Sequence, residues 1–334
     1  MIKSIPSKIV GVPVELAGIG HYFPGEPVTN EELEKLYGFD NKWIVEHTGV
    51  SARHWADTNE ERHLELAQKA SEMAIKDAGI TVEDIDVLIC TSSTTRAVSN
   101  PSTRFNRYMD IAPPLQAAIG AKKAFVFDVS GVACLGFVDI STVAVSLLNS
   151  LNLNTALVVC AENPKPILNF KYKNSTLFGA GAAAAVWKRS DSKESGLIDV
   201  VMHSDGSHFN AFDIDDDNNI LMKGKEVSAI GTESLINVSR EIFTRNNIGI
   251  DDVDWFIPHQ ANINMINKIA STLSIPKEKL LLNIGYRGNT SSVGGPSCLS
   301  ENVHKGIIKP GDTIFTCSFG RGVNWGGILF KYKK

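Results

Sequence analysis

The chain alternates short apolar runs of strand length with longer amphipathic stretches of helix length. In its first part, the pattern predicts strands over 14–19, 86–92, 124–130 and 155–161, and helices over 61–79 and about 135–149. Strands that are apolar on both faces are typical of sheets buried between layers of helices. The pattern therefore predicts an α/β fold with partly parallel strands.

A second round of strands and helices follows the polar turn at 190–195. Its predicted strands cover 196–207, 253–259, 312–320 and 325–332, and its predicted helices cover about 227–247, 262–273 and about 297–306. Two similar rounds suggest an internal duplication, so we divide the chain into an N-terminal half, 1–206, and a C-terminal half, 207–334. No low-complexity linker separates the halves, which predicts that they pack as one body.

Composition and charge argue against several classes of protein. The 334 residues carry a formal net charge of −4 with acids and bases interspersed, so neither a nucleic-acid partner nor a membrane surface is expected. The N-terminus lacks the continuous apolar segment of a signal peptide, and we expect a soluble cytoplasmic protein. The five cysteines show no CxxC or metal-ligand spacing, and their odd number favours reduced thiols over a disulfide framework.

Cys134 lies in DVSGVACLGF, residues 128–137, where a predicted strand ends and a predicted helix begins. A free cysteine among small and apolar residues is most often a packed, inert thiol. The first turn of a helix, however, has free backbone N–H groups and the positive end of the helix dipole, and both favour a thiolate. The position makes Cys134 a candidate nucleophile whose own backbone N–H could bind an oxyanion.

Three further segments carry candidate chemistry. In WFIPHQANINMI, 255–266, His259 follows a predicted strand at an edge where α/β folds place ligand sites, although a helix-capping surface histidine is about as common. In the glycine-rich loop YRGNTSSVGGPS, 286–297, Asn289 offers an uncharged amide donor. SFGRGVNWGG, 318–327, is a second glycine-rich bend with exposed N–H groups. Each loop taken alone is consistent with an ordinary turn.

The order of these four segments is more specific than any one of them. A cysteine, then His-Gln-Ala-Asn, Gly-Asn-Thr-Ser and Phe-Gly-x-Gly at these separations resembles the β-ketoacyl-acyl carrier protein synthase III family of the thiolase superfamily. The resemblance covers nearly the whole chain, including TNEELEKLYGFDNKWIVEHTGV at 29–50, HSDGS at 203–207 and IKPGDTIFTCSFG at 308–320. It implies the thiolase-like duplicated five-layered α-β-α-β-α fold with two mixed sheets, and a homodimer.

The resemblance implies an acyltransferase with Cys134, His259 and Asn289 as catalytic residues. Cys134 would take the acyl group of a primer acyl-CoA, and malonyl-acyl carrier protein would then join it by decarboxylative Claisen condensation to give a 3-oxoacyl thioester. The backbone N–H groups of Cys134 and Arg321 would form an oxyanion hole, although Arg321 stands where the family usually has glycine. No cofactor and no metal ion are expected.

Substrate contacts are implied in the same way. Trp43 matches the tryptophan that stacks on the adenine of CoA, and Gly320 is expected to line the substrate site. Met109 occupies the segment that in the family reaches the acyl pocket of the partner subunit. Because a flexible thioether adapts to more than one acyl shape, we hypothesise a primer other than acetyl, or in addition to it.

Several basic positions of the family are replaced in this chain. Asn264 replaces an arginine that the family uses to contact phosphate or the carrier protein, and His47 and Ser51 lie at positions where the family often has arginine. The loss of these cations weakens the expected phosphate binding. A compensating basic patch could involve Lys223, Lys225 or Lys268.

Two alternative functions stay open at this point. One is acyl transfer from Cys134 to a small-molecule acceptor without condensation, against which Asn289 argues because simple transfer has less use for an enolate donor. The other is a catalytically silent subunit of a heterodimer, against which the intact Cys134 and His259 argue.

Overall fold

The computed structural model describes residues 13–56, 61–95, 110–130, 133–190, 196–215 and 219–332. Its strands are β1 Val14–Tyr22, β2 Val28–Thr29, β3 Ala52–Arg53, β4 Val87–Thr91, β5 Phe125–Asp128, β6 Thr155–Glu162, β7 Gly181–Arg189, β8 Leu197–Ser204, β9 Phe212–Ile214, β10 Ile220–Met222, β11 Trp255–Pro258, β12 Thr313–Gly320 and β13 Asn324–Lys331. Its helices are α1 Asn30–Tyr37, α2 Asn41–Thr48, α3 His63–Ala78, α4 Ala112–Ile119, α5 Gly136–Ser150, α6 Gly224–Asn246, α7 Ile263–Thr272, α8 Ile284–Arg287 and α9 Gly294–His304.

Most strands belong to two mixed sheets. The first sheet has the order β1-β7-β6-β4-β5, in which β4 runs parallel to β5 and β6 while β7 is antiparallel to β6 and β1. The second has the order β11-β12-β13-β8, in which β11 and β12 are parallel and the other pairs are antiparallel. The small ladders β2-β3 and β9-β10 lie outside them.

Apolar contacts arrange the sheets and helices in five layers. α5 and α9 lie between the two sheets, in a core cluster that includes side chains of both. α3 and α4 cover the outer face of the first sheet, and α6 and α7 cover the outer face of the second. The predicted α-β-α-β-α fold is confirmed.

The central layer explains why parts of the chain are uniformly apolar. All eight residues of β6 are buried because helices cover both faces of its sheet. The segment Ala133–Ser150 is long and apolar enough to cross a membrane by length and composition alone, with a mean hydropathy of 1.5. In this fold, α5 packs most of its apolar side chains between the sheets as a core helix.

The predicted elements are confirmed to within a few residues for β4, β6, β12 and β13 and for α3, α5 and α7. The pattern analysis assigned no helix to α1, α2 or α4. Within the segment 179–185, to which the pattern above gives no element, β7 begins at Gly181. The short antiparallel pair of β9 and β10 is a further element that the pattern analysis did not predict.

The division of the chain at 206/207 stays a prediction. β8, which precedes that boundary, pairs with β13 in the second sheet, whereas every strand of the first sheet lies before residue 190.

Candidate active site

Cys134 lies at the junction between a strand and a helix, as the sequence predicts. β5 ends at Asp128, and Cys134 is the middle residue of the 3-10 turn Ala133–Leu135 that leads directly into α5. Ala133 has a φ of +48°, a left-handed conformation that turns the chain sharply before the thiol. The turn is tied to the second sheet, since the Ser318 hydroxyl donates a 2.6 Å hydrogen bond to the Cys134 carbonyl.

His259 follows the last residue of β11, at the end of the second sheet. β11 pairs in parallel with β12, which places His259 one residue beyond the pair Pro258–Cys317. The ring is buried, with 4% of the residue exposed, and its Nδ1 has no hydrogen-bond partner among the described residues. Burial lowers the pKa of His259 to about 4, so the imidazole is neutral at physiological pH. His259 is therefore a buried neutral histidine, not the helix-capping surface histidine that the sequence also allows.

Asn289 is held between two parts of the chain. Its backbone N–H donates to the Leu177 carbonyl at 2.8 Å, and its own carbonyl accepts from the Gly179 N–H at 3.0 Å. Its side-chain Oδ1 accepts a 2.9 Å hydrogen bond from the Ser291 N–H. The amide NH₂ is then the free end of the side chain, so Asn289 presents a neutral donor.

Gly288 makes this placement of Asn289 possible. Its φ of +69° with a ψ of −172° lies in a region that is essentially restricted to glycine. A Cβ at this position would also lie 2.7 Å from the Leu177 carbonyl oxygen. A side chain at position 288 would therefore push the loop away from its neighbour.

One cavity of about 1140 Å³ brings the three candidate catalytic residues together. Cys134, His259 and Asn289 line it, and so does the Gly320–Arg321–Gly322 bend between β12 and β13. The predicted site residues Trp43 and Asn264 line the same cavity, whereas Met109 lies outside the described residues. Folding thus brings four distant segments around one space.

The electrostatics of Cys134 differ from the sequence-based expectation. Burial raises the pKa of the Cys134 thiol to about 12; the Ser291 hydroxyl opposes this rise by hydrogen bonding, and the charge of Glu162 adds to it. The helix start was expected to favour a thiolate, but desolvation outweighs that effect here. The thiol and the imidazole are consequently both neutral at pH 7, rather than forming an ion pair.

Arg321 contributes its backbone to the bend while its side chain points to another element. Its Nη2 donates a 2.9 Å hydrogen bond to Asp213 Oδ1 on β9, in an ion pair that solvent reaches. An exposed pair of this kind contributes about 0–1 kcal/mol. The arginine is therefore accommodated by an external partner.

Trp43 and Asn264 lie on neighbouring helices at one side of the cavity. The Trp43 ring stacks on His47 with ring centres 4.5 Å apart, and Lys173 Nζ lies 4.8 Å from the Trp43 ring centre. Asn264 donates its amide to the backbone carbonyls of Glu46 at 3.3 Å and His47 at 3.1 Å. Its amide therefore caps the C-terminal end of α2, in addition to lining the cavity.

Cationic side chains line the cavity along α6 and α7. Lys225 and Lys268 are among them, as the sequence suggests, while Lys223 is not. Arg240, which sequence reasoning missed, also lines the cavity. The signal was present, because Lys225, Ala229, Thr232, Ile236 and Arg240 follow the three- and four-residue spacing of one helical face. Among the described residues, no group of three or more His, Cys, Asp or Glu side chains could hold a metal ion.

Comparison with known proteins agrees with this geometry. The family described as 3-oxoacyl-[acyl-carrier-protein (ACP)] synthase III matches residues 127–206, and its C-terminal domain family matches residues 243–332. The β-ketoacyl-[acyl-carrier-protein] synthase III of Aquifex aeolicus is 33% identical over 95% of this chain and 99% of its own length. The Rickettsia bellii protein of the same name is 34% identical over 95% of this chain and 99% of its own length.

Solved structures give the same result. The crystal structure of 3-oxoacyl-[acyl-carrier-protein] synthase III from Aquifex aeolicus covers 96% of this chain and 100% of its own, with a TM-score of 0.88 and 33% identity. The crystal structure of the priming β-ketosynthase from the R1128 polyketide biosynthetic pathway covers 98% of this chain and 99% of its own, with a TM-score of 0.87 and 25% identity. On its sequence, its fold and the residues around its cavity, this chain belongs to the β-ketoacyl-[acyl-carrier-protein] synthase III family.

Proposed function

We propose that the chain condenses a primer acyl-CoA with malonyl-acyl carrier protein, through an acyl-cysteine on Cys134, to give a 3-oxoacyl thioester. The observation that carries this proposal is that a thiol, a neutral imidazole and a free carboxamide NH₂ line the same cavity. These are the groups needed by a thioester exchange followed by stabilisation of an enolate.

In the first half-reaction, Cys134 sulfur attacks the thioester carbonyl of the primer. Because the thiol is neutral at pH 7, its proton has to leave as the bond forms, and the neutral His259 imidazole is the group that accepts it. The backbone N–H groups of Cys134 and Arg321 hold the oxyanion. When the tetrahedral intermediate collapses, the proton goes to the CoA sulfur, so free CoA leaves and the acyl group stays on Cys134.

In the second half-reaction, malonyl-acyl carrier protein loses carbon dioxide and its thioester oxygen gains negative charge. The His259 N–H and the Asn289 NH₂ donate to that oxygen. Each donor is neutral, so neither forms an ion pair with the malonyl carboxylate that has to leave. The resulting carbanion attacks the acyl carbonyl, the bond between that carbon and the Cys134 sulfur breaks, and the 3-oxoacyl thioester departs. The Cys134 thiolate that is left takes up one proton from solvent.

The substrates would enter past the α2, α6 and α7 side of the cavity. Trp43 offers a flat apolar face for an adenine ring, and Lys225, Arg240 and Lys268 supply positive charge near the phosphate of a phosphopantetheine arm or an acidic carrier protein. These lysines and this arginine would take over from the basic positions that the chain lacks, as at Asn264. We propose no nucleic-acid partner, no membrane partner and no cofactor for this reaction.

A homodimer in the cytoplasm completes the proposal. β5 is the edge strand of the first sheet among the described strands, and its Phe125 is 64% exposed. An exposed apolar edge strand is stabilised when it pairs with a second copy. Sedimentation of the purified protein at micromolar concentration should give twice the chain mass, and a monomer would contradict this part of the proposal.

Intact-protein mass spectrometry tests the reaction. Incubation with a panel of acyl-CoAs should add one acyl mass to the wild-type chain and none to Cys134→Ala, and addition of malonyl-acyl carrier protein should remove the label and release a 3-oxoacyl product. Loading by acetyl alone would contradict the broader primer expected from Met109. Loss of the label to a small-molecule acceptor without carbon dioxide release would favour simple acyl transfer. Absence of any label would favour a silent subunit.

A further inference from the structure

A cation beside the Asn289 loop has no part in the reaction described so far. Arg287 is the last residue of α8, two positions before Asn289, and its side chain is 23% exposed. It is not among the described residues that line the cavity. Any effect of Arg287 on the reaction therefore has to pass through another residue.

Two side chains from distant segments hold the Arg287 guanidinium. Its Nε donates a 2.8 Å hydrogen bond to Glu301 Oε1 on α9, and its Nη1 lies 2.6 Å from Nε2 of His54, the residue that follows β3. Both partners are buried, with 3% of Glu301 and 4% of His54 exposed. The guanidinium carbon also lies 4.0 Å from the centre of the Phe23 ring. A planar cation held on two edges and one face has little freedom to turn.

The chemistry of the groups gives the contact with His54 one direction. A guanidinium only donates hydrogen bonds, so His54 Nε2 accepts from Arg287 and the ring proton lies on Nδ1. Nδ1 has an acceptor of its own, the Pro24 carbonyl at 2.9 Å. Burial lowers the pKa of His54, which favours the neutral ring that this arrangement needs. The contact between Arg287 and His54 is therefore a hydrogen bond and not a clash of two cations.

Segment 177–180 connects this contact to Asn289 through the main chain. Its amides donate to the His54 carbonyl at 2.7 Å and to the Asn289 carbonyl at 3.0 Å. The Arg287 carbonyl packs directly against Gly179, where an added Cβ would overlap it. The side chains that fix Arg287 and the backbone that fixes Asn289 thus share one support.

We propose that Arg287, held by Glu301 and His54, is a positioning residue that fixes the Asn289 amide for the decarboxylation of the malonyl thioester. The inference rests on the proposed role of Asn289 as a donor in that step. A donor stabilises an enolate best when it is aimed at the oxygen before the charge develops. An amide on a loop obtains this aim from the groups that support the loop.

Arg287→Met is the first variant of the test. It removes both hydrogen bonds but keeps an unbranched apolar stem, and Glu301 still accepts from the Tyr286 hydroxyl at 2.6 Å. The kcat for carbon dioxide release from malonyl-acyl carrier protein should fall about tenfold to a hundredfold with KM unchanged, because a misplacement of about 1 Å can cost 10²-fold. Acylation of Cys134 should be nearly unchanged, since that step does not use the Asn289 amide. A wild-type rate of carbon dioxide release would overturn the inference.

Arg245→Met is the matched control. Arg245 pairs with Asp199 at 3.0 Å, with side chains 20% and 0% exposed, against 2.8 Å, 23% and 3% for Arg287 and Glu301. Arg245 is also outside the set of described residues that line the cavity. The control should lose a similar ion pair while its ratio of decarboxylation to acylation stays that of wild type. An equal fall of this ratio in both variants would overturn the inference.

A second background separates positioning from a general effect on the site. In Asn289→Ala there is no amide to place, so adding Arg287→Met should cause no further loss of decarboxylation. The same loss in both backgrounds would overturn the inference. His54→Leu removes only one of the two hydrogen bonds of Arg287, and it should give the same pattern with a smaller loss. If Arg287→Met does not fold, a wild-type ratio of decarboxylation to acylation in His54→Leu would overturn the inference instead.

Hydrogen exchange of the backbone amides in 285–293, read by mass spectrometry, needs no substrate. Exchange should be faster in Arg287→Met than in wild type and unchanged in Arg245→Met, because only the first variant loses a support of this loop. A wild-type chain that releases no carbon dioxide would refute the proposed function, and exchange alone would then decide whether Arg287 orders the Asn289 loop. Unchanged exchange in Arg287→Met would overturn the inference in either case.

Discussion

Replacement of Asn289 by aspartate isolates the donor that we assign to the decarboxylation step. Asn289→Asp keeps the size of the side chain and the oxygen that accepts from the Ser291 N–H at 2.9 Å. It replaces the free NH₂ group by a second oxygen, which is negatively charged at high pH. Asn289→Ala, in contrast, removes both the donor and the contact to Ser291.

The expected loss follows from the role of a single preorganised donor. Removing one oxyanion donor costs about 10²–10³ in kcat, or about 2.7–4 kcal/mol. We therefore expect Asn289→Asp to lower the decarboxylation of malonyl-acyl carrier protein by at least this factor at pH 8. Acylation of Cys134 should be nearly unchanged, because that step uses the thiol, His259 and backbone donors.

The pH dependence of this variant is a further check on the same reasoning. Burial raises the pKa of a carboxyl group, and a protonated carboxyl has an O–H that can donate. Decarboxylation by Asn289→Asp should therefore recover partly as the pH falls from 8 to 6, a rise that wild type should lack.

The assay is carbon dioxide release from malonyl-acyl carrier protein, with acyl-enzyme formation followed in parallel by intact mass. A wild-type rate of decarboxylation in Asn289→Asp at pH 8 would refute the donor assignment. Equal losses of acylation and decarboxylation would also refute it, because the residue would then act on the shape of the site as a whole.

Three other predictions concern ionisation and backbone strain. With the pKa of Cys134 near 12, alkylation of wild type by iodoacetamide should rise about tenfold per pH unit between pH 7 and 9; a plateau below pH 8 would contradict the raised pKa. His259 has a folded-state pKa of about 4 against an ordinary value of 6.5, so protonation favours the unfolded chain. The stability that this neutral ring contributes is present above pH 6.5 and is lost towards pH 4, by up to about 3 kcal/mol. In chemical denaturation, the free energy of unfolding should therefore fall less steeply between pH 6.5 and pH 4 in His259→Gln than in wild type. The same pH dependence in both proteins would argue against the lowered pKa of His259. Gly288→Ala should lower the free energy of unfolding by more than Gly306→Ala. Both glycines have positive φ, but only at Gly288 would the added Cβ lie 2.7 Å from a carbonyl oxygen. Equal losses of stability in urea titrations would rule out this close contact as the cause.

The long, strongly patterned elements could be predicted because their signals are local. The periodicity of α3 and the apolar run within the wholly buried β6 reflect packing of one segment against a core, whatever that core is. The short helices α1 and α2 were missed, although Thr29 with Glu32 forms a capping box and Gly38 and Gly49 end these helices in the left-handed conformation. These capping signals, rather than apolar periodicity, would have revealed them.

The candidate site was predicted unevenly. The order of the segments that carry Cys134, His259 and Asn289 predicted that these residues share one site, and all three line the same cavity; their catalytic roles stay a prediction. The ionisation of Cys134 was not predicted correctly, since the dipole of a helix start can be read from sequence whereas desolvation depends on what other segments cover the thiol. For the same reason Arg240 was missed as a cavity residue.

The sequence by itself determined the alternation of strands and helices, the α/β architecture and the chemical identity of the candidate reacting groups, because these depend on neighbouring residues. Only the tertiary structure decided which groups meet. The hydrogen bond between Ser318 and Cys134 joins residues 184 apart, and that between Ser292 and Glu162 joins residues 130 apart. The protonation states of the thiol and the imidazole follow from the burial that such long-range contacts create, since they set the local solvation and the hydrogen-bond partners of each group.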